Sequence, residues 1–198
     1  MIPEQIQKFI DNFSRLPSLG PRLATRLAFY LIGLDKNDLK NLESSLGDLR
    51  HLSRCKQCFF LKGGGNLCAI CANPKRDKTV IAIVEKETDL ISLEKTGQFQ
   101  GHYLLLGELP GRGSLESSQK LRLEHLKSRI QKELGGKIKE IIIALNPTGA
   151  GDFTAQMIKK EFESLAEKIT RLGRGIPTGG EIEFADEETL GQALARRN

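Results

Sequence analysis

The chain has 198 residues, with 30 Lys and Arg against 25 Asp and Glu and a formal net charge of +5. Hydrophobic residues make up 39% and charged residues 28%, a globular composition that excludes wholesale disorder. The longest apolar runs, Val80–Val84 and Ile141–Leu145, fall far short of the ~20 residues a membrane helix needs, and Met1-Ile-Pro-Glu-Gln5 has no secretory leader pattern, so a cytoplasmic protein without membrane association is expected.

Residues 1 to about 54 read as helical. Leu16-Pro-Ser-Leu-Gly20-Pro21 interrupts one helix and starts the next. Pro21 suits a first helical position, where its missing N–H has no partner to lose. Leu23, Leu27 and Leu31 recur at i+4 beside Ala24 and Ala28, predicting one buried helix face. Leu39, Leu42, Leu46 and Leu49 signal a third helix, capped by Asp35 or Asn37. Residues 55–71 hold all four cysteines and the run Gly63-Gly-Gly-Asn66; few apolar residues lie here, so something other than a core must hold the segment.

From residue 80 the texture alternates. Val80–Val84, Tyr103–Leu106 and Ile141–Leu145 are strand candidates, and Ile169–Leu172 begins a fourth. Helices are predicted over Thr88–Lys95, Leu115–Leu134 and Thr154–Ile169, the last with Ile158, Phe162, Leu165 and Ile169 inward, and a short terminal helix over 187–197. The β-α-β-α-β-α-β order predicts a mostly parallel sheet covered by helices. Thr178-Gly-Gly180 reads as a tight turn.

Charge is unevenly placed. Residues 1–79 hold 13 basic and 7 acidic side chains, and residues 80–198 hold 17 and 18. A basic N-terminal part suggests a polyanionic partner; simple solubility is the competing explanation.

The cysteines are spaced Cys55-x2-Cys58-x9-Cys68-x2-Cys71. Two CxxC knuckles each grip one edge of a tetrahedron, and four thiolates close every position of a Zn²⁺ ion, which makes the site structural. One structural zinc per chain is expected. An iron–sulfur cluster also takes four cysteines but fits paired knuckles less well, and disulfides disagree with a cytoplasmic setting.

The segment Leu16–Ala28 resembles a helix-hairpin-helix, a DNA-binding unit that does not read sequence. A turn containing Gly20 feeds a helix N-terminus that attracts phosphate, and Arg22 and Arg26 share one helix face. These three residues are the candidate DNA contacts; an ordinary helical turn with two solvated arginines has the same pattern.

Glu85 directly follows the first core strand, and Asn146-Pro-Thr-Gly-Ala-Gly-Asp152 follows the third. Carboxyl ends of parallel strands form functional crevices. The arrangement resembles a Toprim domain, whose pattern has a Glu after the first strand and Asp-x-Asp after a later one. Asn146 and Thr148 stand where the aspartates would be, and Ala150 where a further Glu is common. Too few carboxylates remain for two-metal chemistry. Glu85, Asn146 and Asp152 are candidates for a partner contact or a weak Mg²⁺ site; a polar strand cap is the competing reading of Glu85.

The whole order of parts resembles the RecR family of bacterial recombination mediators. The resemblance rests on Leu16-Pro17, Gly20-Pro21, Arg26–Phe29, the CxxC pair, Arg76-Asp77, Glu94–Gly97, Asn146-Pro-Thr148, Thr170–Leu172, Arg174-Gly175, Pro177, Gly179-Gly180 and Ala185-Asp186. Departures are Ser18 for the usual glycine, Gly107-Glu-Leu-Pro-Gly111 for an Ile-Ser-Pro-type segment, and Ala150. The resemblance implies a non-enzymatic DNA-repair protein that works with RecO, and RecF where present, to load RecA on SSB-coated single-stranded DNA. It also implies dimers or ring-shaped tetramers around DNA. The competing functions are a Mg²⁺-dependent nuclease or primase-like enzyme and a pure interaction hub. The expected architecture is an α+β multi-part chain. A helical helix-hairpin-helix region spans 1–54 and a four-cysteine zinc motif 55–72. An α/β Toprim domain with a mostly parallel sheet spans 79–174, and a C-terminal segment with a short tail helix spans 175–198.

Overall fold

The computed structural model describes residues 2–111, 114–195 and 197. The chain forms two compact units, Met1–Leu52 and Ser53–Asn198.

The first unit is helical, with α1 (Glu4–Phe13), α2 (Pro21–Ile32), α3 (Lys36–Asp48) and a 3-10 turn at Leu49–His51. Gly20 is the N-cap of α2 and Pro21 its first residue. Asp35 caps α3, accepting from the backbone N–H groups of Asn37 and Asp38 at 2.8 and 3.0 Å. The burial of α2 differs from the leucine spacing: Ala24 and Ala28 are buried, Leu27 and Leu31 half-buried, and Leu23 exposed. Small residues on that face let α1 pack closely against α2. The leucines of α3 and the following turn, Leu39, Leu42, Leu46 and Leu49, stay exposed.

The second unit opens with a two-stranded antiparallel ribbon, β1 (Ser53–Arg54) with β2 (Leu61–Lys62), and a short α4 (Ala69–Ala72). The four-stranded sheet follows: β3 (Asp77–Val84), β4 (Gly101–Leu105), β5 (Ile138–Ala144) and β6 (Ala166–Arg171), in order β4-β3-β5-β6 and parallel throughout. Helices α5 (Glu87–Lys95), α6 (Ser117–Glu133) and α7 (Gly149–Phe162) connect them, as the alternation predicts. A 3-10 turn at Ile182–Phe184 and α8 (Glu187–Ala195) end the unit; Arg196, within the predicted terminal helix, lies outside the described residues. The tight turn at Thr178–Gly180 forms, with the Gly180 N–H donating to the Pro177 carbonyl at 2.8 Å and Gly179 at φ 85°.

Two expectations need correction. The helix predicted to Ile169 ends at Phe162, and Ile169 lies in β6 beside Ile141 of β5. Leu165 and Ile169 fit helical spacing by coincidence; parallel pairing with β5 places them instead. The four-cysteine segment, in turn, is not short of a core. Its buried cysteines share one apolar cluster with Ala82, Val84, Leu90, Tyr103, Leu105 and Ala144, and with Phe59, Phe60, Leu67 and Ile70 packed around them. The Leu105 N–H also donates to the Cys58 carbonyl at 2.9 Å, so the knuckle covers the outer edge of β4.

Candidate functional sites

The helix-hairpin-helix turn is built by Leu16–Gly20, where the Leu19 N–H closes onto the Leu16 carbonyl and Ser18 adopts φ 63°. That left-handed conformation explains why glycine is usual at this position. Arg22 and Arg26 follow on α2, both exposed and one helical turn apart. They offer two guanidinium groups beside a helix N-terminus, a geometry suited to phosphate.

The four cysteine sulfurs lie within 4.8 Å of one another, all buried and none in a disulfide. The Cys58 and Cys68 sulfurs are 3.5 Å apart, well beyond bonding distance and close to an edge of a thiolate tetrahedron. Each knuckle is closed by its own backbone: Phe59 N–H donates to the Cys55 carbonyl and Ala72 N–H to the Cys68 carbonyl. Burial pushes the Cys68 thiol up to about 11. Burial also opposes ionisation of Cys55, but backbone N–H groups of Cys58, Cys68 and Gln57 more than offset it and bring that thiol down to about 7. The donor set, its closure and its convergence fit a tetrahedral metal ion, and among the described residues no other group of three or more Cys, His, Asp or Glu converges in this way.

At the strand ends, Glu85 is buried and both its oxygens are engaged. Asn146 Nδ2 donates to Oε2 at 2.8 Å and the Leu109 N–H donates to Oε1 at 3.2 Å. The structure thus brings Glu85 and Asn146 together. Asp152 is engaged elsewhere, bridged to Arg171 and Arg174. The Arg171 hydrogen bond holds the Asp152 carboxyl below its usual range. Arg174 also pairs with Glu188, tying α8 to the crevice loop. Thr148 caps α7, and a side chain on Gly151 would collide with the Asn146 carbonyl, so this loop needs its glycine. A cavity of about 500 Å³ opens here, lined in part by Asn146, Pro147, Arg171, Arg174, Asp186 and Glu188. The roles of Arg171 and Arg174 escape sequence reading because their partners lie 14 to 22 residues away; only their place at and just beyond the end of the fourth strand signalled the crevice.

A second polar cluster escapes sequence reading altogether. His102 of β4 and Arg129 of α6 are both buried, with Arg129 Nη2 3.3 Å from His102 Nδ1. The remaining guanidinium nitrogens and His102 Nε2 have no partner among the described residues.

Comparison with known proteins agrees with the order of parts. The chain matches the RecR helix-hairpin-helix family over residues 6–50, the Toprim domain over 79–173 and the RecR C-terminal family over 175–198. It is 36% identical to the recombination protein RecR of Chloroflexus aurantiacus, covering 100% of this chain and 95% of that protein. It is 38% identical to that of Lactococcus lactis subsp. cremoris (98% and 97%) and 37% identical to that of Rubrobacter xylanophilus (97% and 95%).

Proposed function

The chain belongs to the RecR family of recombination proteins, and on that premise we propose that it is a non-enzymatic DNA-binding mediator of recombinational repair in the cytoplasm. It acts with RecO, and with RecF where present, to help load RecA on SSB-coated single-stranded DNA. One observation carries the non-enzymatic reading: the only acidic strand-end group of the Toprim pattern, Glu85, is bound by the neutral amide of Asn146. A phosphoryl-transfer centre needs several free carboxylates around Mg²⁺, and this crevice has an amide in their place. Its surface then serves protein partners, with Asn146 and Asp152 among the contacts and the buried Glu85 holding the Asn146 amide in place.

Cys55, Cys58, Cys68 and Cys71 hold one structural Zn²⁺, which supplies folding free energy and no catalysis. Gly20, Arg22 and Arg26 meet the DNA backbone without reading bases. Assembly into a dimer or ring-shaped tetramer multiplies these few contacts through effective concentration.

A titration of DNA with and without RecO at two salt concentrations tests the reading. The expected result is sequence-independent binding that weakens steeply with salt and is abolished by Arg22→Glu with Arg26→Glu. Binding seen only with RecO present makes the chain an interaction hub instead. Mg²⁺-dependent cleavage of supercoiled plasmid, lost on Glu85→Ala, would overturn the reading in favour of an enzyme.

A further inference from the structure

The structure relocates the positive charge. The helical unit, residues 1–52, holds 7 basic and 6 acidic side chains and is nearly neutral. Residues 53–79, the four-cysteine segment and the start of β3, hold 6 basic and 1 acidic. Between Ser53 and Arg76 the sequence has no carboxylate side chain at all. A Zn²⁺ ion with four thiolates carries a formal −2, which reduces the charge of this segment without reversing it.

Two of these cations are engaged within the fold. Arg54 pairs with Glu87, and Arg76 forms a forked pair with Glu94. Lys56 and Lys62 are different: neither pairs with a carboxylate among the described residues, and both bracket one loop. The Lys56 backbone N–H donates to the Asn66 carbonyl at 3.1 Å. The Lys62 ammonium donates to the Gly65 carbonyl at 2.6 Å and the Ser53 hydroxyl at 2.8 Å. Between them runs Gly63-Gly64-Gly65. A side chain built on any of the three would meet nothing within 4 Å. None of their backbone N–H groups donates to a protein acceptor among the described residues.

The Lys62 ammonium held on the loop, the exposed Lys56 whose backbone is bonded to it, and free backbone N–H groups together suit an anion with several oxygens. The seat lacks an apolar anchor of the kind protein partners use. The nearest aromatics, Phe59 and Phe60, are half-buried, with Phe59 packed between Arg122 and His125 of α6. A phosphodiester backbone needs only charge and hydrogen-bond donors.

We propose that Lys56, Lys62 and the Gly63–Asn66 loop form a second DNA-backbone seat on the four-cysteine lobe, in addition to the α2 arginines. The proposal rests on the reading that this chain binds DNA. It makes the metal lobe a contact surface as well as a structural element.

The test compares the parent protein with Lys56→Glu/Lys62→Glu and Arg22→Glu/Arg26→Glu by anisotropy titration of duplex and single-stranded oligonucleotides across a salt series. Zinc content and oligomeric state are measured on the same samples. The lysine variant is expected to bind about tenfold or more weakly for every sequence, with metal content unchanged. Its log–log salt slope for duplex is expected to fall by about 2, near one unit per lost phosphate contact. Lys62 also holds its own loop, so Lys56→Glu alone is the second variant, expected to reduce the slope by about 1. An unchanged affinity and slope in both lysine variants, while the arginine variant loses binding, overturns the seat and leaves the DNA-binding reading standing. Polyglutamate binding that depends on the lysines while DNA binding does not overturns it in favour of an acidic protein. Parent protein that fails to bind DNA at low salt refutes the functional reading itself.

Discussion

The side-chain amide of Asn146 donates a 2.8 Å hydrogen bond to the Glu85 carboxylate, joining the ends of neighbouring parallel strands β3 and β5. An aspartate at 146 would face Glu85 with like charge, which only a proton or a cation relieves. Asn146→Asp is therefore expected to lower stability at neutral pH by about 1–3 kcal/mol. Added Mg²⁺ should recover part of that loss while leaving the parent unchanged. Thermal melts with and without Mg²⁺ read both effects; equal melting of the two proteins would mean that the contact has no electrostatic weight.

Ser18 sits at φ 63° in the turn that starts α2. That conformation costs an L-residue roughly 1–2 kcal/mol, against roughly 0.5–1 for the extra unfolded freedom of glycine. Ser18→Gly is expected to stabilise by about 0.5–1 kcal/mol, read as a rise in the urea midpoint. Phe59, at φ 64°, should respond with the opposite sign. Its glycine variant relieves the backbone but loses the ring packed between Arg122 and His125.

Arg76 forks onto Glu94 and also donates to the Gly101 carbonyl at 2.9 Å, while the Tyr103 hydroxyl shares Glu94 at 2.7 Å. The pair is largely shielded, and Glu94→Gln leaves the Arg76 charge without its counter-ion. A loss of about 2–3 kcal/mol is expected, more than exposed pairs contribute. Lys139→Gln, which breaks the exposed pair with Asp77, is the control and should cost under about 1 kcal/mol.

Burial, with Arg129, Lys78 and Arg76 adding repulsion, pushes His102 down from 6.5 to about 4. The unfolded chain thus binds the proton more readily between those values. Stability from this group is full above pH 6.5 and is lost as pH falls toward 4, by about 3 kcal/mol in all. His102→Gln should flatten the urea-midpoint profile over that window. An identical slope in parent and variant would locate the acid sensitivity elsewhere.

Chelating the proposed Zn²⁺ is expected to loosen the sheet as well as the knuckles, because the cysteines share a core with β3, β4 and β5. Hydrogen exchange at the Leu105 amide, bonded to the Cys58 carbonyl, should speed up by several orders of magnitude on chelation. Protection unchanged at Leu105 would mean that the edge strand is held without the knuckle.

Local chemistry was legible in the sequence. Cysteine spacing, the Gly20-Pro21 helix start, the Asp35 cap and the alternation of apolar runs each depend on residues within a turn or two of one another. Short-range geometry therefore determined them. Tertiary structure decided the rest, because the contacts join distant residues. Parallel pairing with β5 turned Ile169 from helix to strand. Folding the knuckle onto the edge of β4 gave an apparently core-less segment its core. The net charge of +5 came from the sequence alone; pairing then withdrew Arg54 and Arg76 and left Lys56 and Lys62, at an open glycine loop, without a carboxylate partner among the described residues. Counting charges says how many a chain carries, and only the partners each one finds in the fold determine which remain available to a ligand.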